Sequence, residues 1–172
     1  MEQAEQVEQP PPGWQRFVMK SKFGAGRDFA VTDLSEAPAF FVDGKLGPRP
    51  QADVNDAEGK TRYSVRGQLL GIPKRMTVSD REGQEVASLK AKFFSPIKTK
   101  MTLTMTDGSS WQVEGSLMEK DYSIAADGKP IVRISQKWVT VRDKYTLDVV
   151  DGVDPALALA IVWAIDRWVE RD

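Results

Sequence analysis

Short runs in which apolar and polar residues alternate fill most of the chain from Trp14 onward. In one run Met101, Leu103 and Met105 share a face, and threonines occupy the positions between them. A period of two is typical of a β-strand with one buried face. The same reasoning predicts further strands at 16–20, 28–32, 39–42, 62–66, 74–78, 85–91, 111–117, 121–125, 131–139 and 145–149.

Pairs of an acidic residue and a glycine separate these runs, as expected for the tight turns of hairpins. Glycine accepts the positive φ of such turns, and aspartate bonds its own backbone there. Three stretches, 78–89, 103–115 and 122–134, have the order strand, turn, strand, which predicts a meander of hairpins. Residues 44–60 are rich in Pro, Gly and polar residues and are predicted to form the longest loop. The pairs are Asp43-Gly44, Glu58-Gly59, Glu82-Gly83, Asp107-Gly108, Asp127-Gly128 and Asp151-Gly152.

The last segment of the chain has a different pattern, which predicts a helix over about 155–169. Asp154-Pro155 is a good N-cap and first-turn pair, and no polar residue follows until Asp166. A helix that is apolar all round is buried on all sides or lies in lipid. A membrane span needs about 20 apolar residues, more than this run provides. The predicted core positions are Leu157, Leu159, Ile161, Val162, Trp163 and Ile165.

Many antiparallel strands followed by a slim apolar helix predict a mainly β fold, a closed antiparallel barrel that encloses its own C-terminal helix. Closure also removes exposed sheet edges. The length of 172 residues fits one domain, which we place at 14–172. Residues 1–13 are mostly Gln, Glu and Pro, and we expect a disordered lead-in there, without the features of a signal peptide.

The amino-acid composition excludes several classes of function. Lys and Arg number 24 and Asp and Glu number 25, so no basic excess indicates a nucleic-acid binder. The chain has no Cys and no His, which excludes a thiolate nucleophile, the usual zinc ligands and the commonest general base. We therefore expect a non-enzymatic protein without a cofactor. We place it in the cytoplasm, because a chain without Cys fits a reducing compartment in which disulfides are rare.

An ordered series of motifs resembles a known family, most strongly from Asp121 onward. The motifs are at 40–44, 65–67, 120–124, 127–130, 132–135, 137–138, 142–147, 154, 157, 159–160 and 165–167. The resemblance is to the LURP-one-related family, which is grouped with the tubby-like C-terminal domains and the phospholipid scramblases. It covers roughly 14–172 and implies a barrel of about twelve strands around a buried hydrophobic helix; it includes no catalytic motif.

A cluster of lysines with aromatic residues is the candidate ligand site. Such a patch is how a soluble protein holds an anionic membrane surface, and the resemblance to tubby-like proteins implies phosphoinositide-like head groups. Alternatively, the lysines are the solvent face of two strands and the phenylalanines belong to the core. The residues are Lys90, Lys92, Lys98 and Lys100, with Phe93 and Phe94 between them.

Asp148, Asp151 and Asp154 form a weaker candidate, a calcium site just before the helix. Ca²⁺ takes oxygen ligands from such loops, but the spacing does not match an EF-hand. Asp151 and Asp154 are also explained as a turn residue and an N-cap.

The leading hypothesis is a non-enzymatic module that binds an anionic lipid head group or a protein partner at the barrel surface, peripheral to a membrane. Scramblase-like lipid transport, an enzyme using carboxylates in a barrel-mouth pocket, and a structural or regulatory scaffold remain as alternatives. No nucleic-acid partner and no transmembrane segment are expected.

Overall fold

The fold is a closed barrel of twelve antiparallel strands with one helix, within the residues that the structure describes. This computed structural model describes residues 7–21, 28–68, 75–90, 100–117, 119–136 and 144–171. The elements are β1 (Trp14–Ser21), β2 (Phe29–Thr32), β3 (Pro38–Gly44), β4 (Gln51–Asp56), β5 (Thr61–Gly67), β6 (Arg75–Asp80), β7 (Glu85–Lys90), β8 (Lys100–Met105), β9 (Ser110–Ser116), β10 (Asp121–Ala126), β11 (Lys129–Ser135), β12 (Lys144–Val150) and α1 (Pro155–Arg171).

Each strand pairs with its neighbours in sequence, and β1 pairs with β12 to close the barrel. The closing register runs from Trp14 opposite Val150 to Lys20 opposite Lys144. A meander of this kind is built from local hairpins, and closure leaves no strand edge unpaired. The predicted fold class, a closed β-barrel with a C-terminal helix, is confirmed.

The helix α1 occupies the inside of the barrel and packs mainly against β4 and β5. Leu159, Ile161 and Ile165 are fully buried, and burial of each such side chain contributes about 1.5–3 kcal/mol. Among the predicted core positions only Leu157 is half-buried, packed against the edge of the core. The wall that the helix approaches has small inward side chains, such as Ala52, because two backbones can come close only where side chains are small.

The hairpin turns follow the predicted chemistry at one end of the barrel. Asp56 Oδ1 accepts hydrogen bonds from the backbone N–H groups of Glu58 and Lys60, at 2.9 and 3.0 Å. Gly59 then takes a φ of 82°, which a residue with a side chain adopts only with strain. The aspartate at the strand end therefore organises this turn, and the predicted Glu58-Gly59 pair lies within it.

Two predictions for the N-terminal half were wrong. Asp43-Gly44 ends the strand β3 and is not a turn, and the predicted loop 44–60 contains the strand β4. In β4, Ala52 and Val54 point to the core, while the positions between them are polar and only half-buried. The prediction of a loop followed from the Pro and Gly residues on either side of this short alternation. The connection between β3 and β4 is therefore only residues 45–50. In the C-terminal half, residues 137–139 of the predicted strand 131–139 lie outside the described residues.

Residues 7–13, the described part of the predicted lead-in, make hydrogen bonds to the barrel. The Glu8 carbonyl oxygen accepts a hydrogen bond from Arg16 Nη1 at 2.6 Å, and the Gly13 carbonyl accepts one from the Asp151 N–H at 2.9 Å. This segment therefore lies against β1 and the turn that follows β12. The boundary of the barrel at residue 14 stays a prediction.

Candidate functional site

The two ends of the barrel carry opposite charge. Antiparallel order brings the connections 33–37, 57–60, 81–84, 106–109, 127–128 and 151–154 to one end, which we call the acidic end. These described connections hold eight acidic and two basic residues. The acidic residues are Asp33, Glu36, Glu58, Glu82, Asp107, Asp127, Asp151 and Asp154, and the basic residues are Lys60 and Arg81.

The opposite end, which we call the basic end, has the reverse composition. Counted along the sequence, the intervals between the strands that meet there hold ten basic and three acidic residues. Seven of the ten basic residues lie outside the described part of the chain, and the described connections at this end hold Lys45, Arg49 and Lys120 against Asp28 and Glu119. The last two residues of the described strands add six cations at this end, Lys20, Arg66, Arg75, Lys90, Lys100 and Lys144, and two acids, Asp43 and Asp121. The charge separation therefore holds for the sequence intervals and for the strand ends.

The helix is aligned with this charge separation. It begins at the acidic end, where Asp154 Oδ1 accepts a hydrogen bond from the Ala156 N–H at 2.9 Å, and it ends at the basic end. A helix carries partial positive charge at its N-terminus and partial negative charge at its C-terminus. Both ends of the barrel thus complement the helix, and Asp154 is the N-cap as predicted.

A pocket of about 130 Å³ opens in the barrel mouth at the basic end, where the helix leaves the core. Small-ligand sites are often found in the mouths of β-barrels. Because one water needs about 10–15 Å³ of such space, the pocket has room for on the order of ten small groups. Its lining consists of Ser21, Phe29, Lys120, Tyr145, Trp163, Asp166 and Arg167.

Asp166 is the centre of a polar network at the floor of this pocket. It is buried and accepts a hydrogen bond from the Tyr122 hydroxyl at 3.1 Å, and its other oxygen lies 3.3 Å from Lys120 Nζ. Burial, followed by the Asp166 charge and the hydrogen bond, raises the pKa of Tyr122 well above its usual value. Tyr122 therefore stays a proton donor. The buried carboxylate accepts a hydrogen bond from this hydroxyl, and the Lys120 ammonium group compensates its charge.

Two cations in the pocket are held against aromatic rings. Lys120 Nζ lies 5.3 Å from the centre of the Tyr145 ring, and the Arg167 guanidinium carbon lies 5.7 Å from that of Trp163. Such contacts attract a cation to the ring face and limit its movement. With Lys120 and Arg167 against the single acid Asp166, the lining of the pocket has a net positive charge.

Two further lysines lie beside the pocket, on the outer side of the wall. Lys20 and Lys144 are directly opposite each other in the β1–β12 ladder, next to the lining residues Ser21 and Tyr145. Like charges opposed on neighbouring strands repel each other. This arrangement strengthens the positive potential around the mouth.

The predicted lysine patch is only partly within the described residues. Lys92, Phe93, Phe94 and Lys98 lie outside them. Lys90 ends β7 and Lys100 begins β8, so both backbones lie at the basic end. Lys100 Nζ is 3.8 Å from a Glu114 carboxylate oxygen, and both side chains are mostly exposed, so this ion pair is weak.

The three candidate calcium ligands are engaged separately. Asp148 is buried and accepts two hydrogen bonds from Arg16, at 2.7 and 2.9 Å. Asp154 caps the helix and accepts a hydrogen bond from the Tyr63 hydroxyl at 2.8 Å, while Asp151 lies exposed in its turn. In the part of the chain that the structure describes, no group of three such side chains is placed to hold a metal ion. The structure therefore does not bring the three together.

Sequence reasoning missed the mouth pocket. Its residues come from β1, β2, β12, the turn before β10 and the helix, and no local pattern links them. One signal was present, since Asp166 and Arg167 end the apolar run of the helix and mark where it leaves the core.

Comparison with known proteins assigns the class. The fold, a closed barrel with a buried C-terminal helix, defines the class of this protein, because its sequence contains no recognisable catalytic motif. The LURP-one-related family profile matches residues 15–166. The chain belongs to this family. It is 28% identical over 160 residues to an uncharacterised protein, YxjI of Bacillus subtilis strain 168, covering 90% of this chain and 93% of that protein. An X-ray structure of an Arabidopsis thaliana protein has the same fold, with a TM-score of 0.64, 16% identity and coverage of 90% and 92%.

Proposed function

We propose that this protein is a non-enzymatic binding module that docks on an anionic membrane surface with its basic end. The observation that carries the proposal is the charge separation between the two ends of the barrel. Cations near an anionic leaflet contribute about 1 kcal/mol each, and this attraction decays within a Debye length. Only an end on which cations are gathered can therefore benefit.

The separation of charge matters more than the total. The whole chain has a net charge of −1, so it has no overall attraction to anionic lipid. The acidic end is repelled from the same surface, so one orientation is favoured. In that orientation the mouth pocket and the C-terminal end of the helix face the membrane, on the cytoplasmic side.

The non-enzymatic part of the proposal is supported by the chemistry of the buried acids. Without Cys and His, a catalyst would need a carboxylate or lysine able to exchange protons. The buried carboxylates Asp148 and Asp166 each neutralise a neighbouring cation.

The test is co-sedimentation of the full chain with vesicles of neutral lipid, with and without an anionic lipid, at low and high salt. We expect salt-sensitive binding to the anionic vesicles. The variant Lys20→Gln/Arg75→Gln/Lys100→Gln should bind roughly a hundredfold more weakly, at about 1 kcal/mol per charge.

A matched variant separates position from total charge. Lys60→Gln/Arg81→Gln/Lys129→Gln removes the same charge at the acidic end and should bind as tightly as the unmodified chain. Equal losses in the two variants, or no binding to anionic vesicles at low salt, would refute the proposal. The second result would favour a protein scaffold.

Scramblase-like transport is the second lipid function considered, because the family is grouped with the phospholipid scramblases. In the described residues no helix is long and apolar enough to cross a membrane. The helix would also have to give up its burial in the barrel to enter lipid. We therefore keep docking as the proposed function.

A further inference from the structure

The cations of the mouth pocket are fixed in position before any ligand binds. Lys120 has a φ of 55°, a conformation that is strained for a residue with a side chain, and its ammonium group lies between Asp166 and the Tyr145 ring. Strained residues of this kind cluster at ligand sites, because the surrounding contacts must hold them. A preorganised cation binds an anion with less loss of side-chain freedom than a lysine on the open surface.

The turn that carries Lys120 is shaped by a glycine. Gly115 has a φ of 134°, and a Cβ added there would lie 2.6 Å from the Asp121 carbonyl oxygen and 2.7 Å from Tyr122 Cα. Gly115 is the cross-strand partner of Tyr122, so its missing side chain lets β9 and β10 come together. This close approach holds Tyr122 where its hydroxyl reaches Asp166, and it holds Lys120 in the lining of the mouth pocket.

The charge of the pocket lining fits an anionic group. Lys120 and Arg167 outweigh Asp166 by one charge in the lining. Lys20 and Lys144 lie next to lining residues, as do the acids Asp28 and Glu119. The phosphate diester of a lipid such as phosphatidylglycerol carries one negative charge, and a phosphate monoester such as glycerol phosphate carries between about −1.5 and −2 near neutral pH. Arginine binds phosphate oxygens in a fork, and lysine adds a point charge.

The size of the site fits a phosphate with a short substituent. Room for on the order of ten small groups matches the ten or so non-hydrogen atoms of a glycerol phosphate. Phe29 and Trp163 supply an apolar wall for the carbon chain, on the side of the pocket that leads into the core. A bare phosphate would leave part of this wall uncovered.

We propose that the mouth pocket binds one phosphate ester with a short polyol chain, the chemistry of a phospholipid head group, with Lys120 and Arg167 on the phosphate. Binding of the lipid form rests on the proposed membrane docking, whereas binding of a free ester does not. The basic end thus gains a specific site within a general electrostatic surface.

Isothermal titration of the full chain with glycerol phosphate, inorganic phosphate and glycerol tests the pocket without any membrane. Glycerol phosphate should bind most tightly, inorganic phosphate more weakly, and glycerol without measurable affinity. Arg167→Gln should weaken glycerol phosphate at least tenfold, and Arg167→Lys should recover part of the loss because it keeps the charge but not the fork.

Controls separate the pocket from the surface and from folding. Lys129→Gln, at the acidic end, should leave the titration unchanged, and thermal melts should establish that each variant is folded. Lys120→Gln is the second pocket variant, and it also leaves Asp166 with one cation fewer. Absence of heat with glycerol phosphate, or a loss equal in Lys129→Gln and Arg167→Gln, would overturn the pocket proposal.

Competition in the vesicle assay distinguishes the lipid from the free ester. If excess glycerol phosphate weakens sedimentation with phosphatidylglycerol vesicles, the pocket holds the lipid head group. If the ester binds but no vesicle does, the pocket proposal stands for a free ester and the docking proposal fails. If vesicles bind but the ester does not, docking stands and the pocket proposal fails.

Discussion

At the scale of single residues, the most consequential feature is a buried ion pair on the outer face of the barrel. Arg16 and Asp148 are direct partners in the β1–β12 ladder, and their side chains are 4% and 8% exposed. Strand parity points them away from the core, since Leu147 and Val149 on either side of Asp148 are the inward residues. The Glu8 carbonyl binds Arg16, so the segment before β1 contributes to the cover.

Removing one member of this pair should destabilise the fold strongly. Arg16→Met leaves Asp148 buried without its cation, and we expect the free energy of unfolding in urea to fall by about 3–5 kcal/mol. The double variant Arg16→Met/Asp148→Leu should recover most of this loss, because no uncompensated charge is left. A single variant as stable as the unmodified chain would contradict the buried pair.

At the scale of elements, the helix and the hairpins differ in how far sequence predicted them. The helix was predictable because its apolar run has no polar side, and five of the six acidic-glycine pairs lie at hairpin or strand–helix turns because their backbone chemistry is local. The strand β4 was missed because only two inward residues mark it. The Arg16–Asp148 pair and the mouth pocket join residues more than 100 positions apart, and no local pattern encodes such contacts.

Because the helix is enclosed, a new charge in it should destabilise the protein far more than the same charge at an exposed position. Ile161→Asp places a carboxylate in the fully buried centre of α1, where no described cation is its neighbour, and should cost several kcal/mol or abolish folding. Leu46→Asp is the matched control, because Leu46 is 75% exposed and the same charge should change stability by less than about 0.5 kcal/mol. Circular dichroism melts measure both, and a folded Ile161→Asp protein with an unchanged melting temperature would contradict the enclosed helix.

At the scale of the whole molecule, the antiparallel order of the strands determines at which end each charged connection lies. Successive connections alternate between the two ends, and along the sequence acidic residues predominate in one set and basic residues in the other. Tight turns favour Asp because its side chain bonds the backbone, which accounts for the acidic end without any function. Nothing in turn chemistry requires the basic residues of the other end, so these carry the functional argument.

The predicted lysine patch can be tested as part of that end. Changing Lys90, Lys92, Lys98 and Lys100 to Gln removes four charges from the end of β7, the sequence interval 91–99 and the start of β8. The two described lysines, Lys90 and Lys100, do not line the mouth pocket. If the whole end docks by electrostatics, this variant should bind anionic vesicles more weakly and with a smaller dependence on salt, because fewer charges meet the surface. Titration with glycerol phosphate should be unchanged, since Lys120 and Arg167 remain. Unaltered vesicle binding would mean that the four lysines are only the solvated face of two strands, and that docking depends on the cations nearer the mouth.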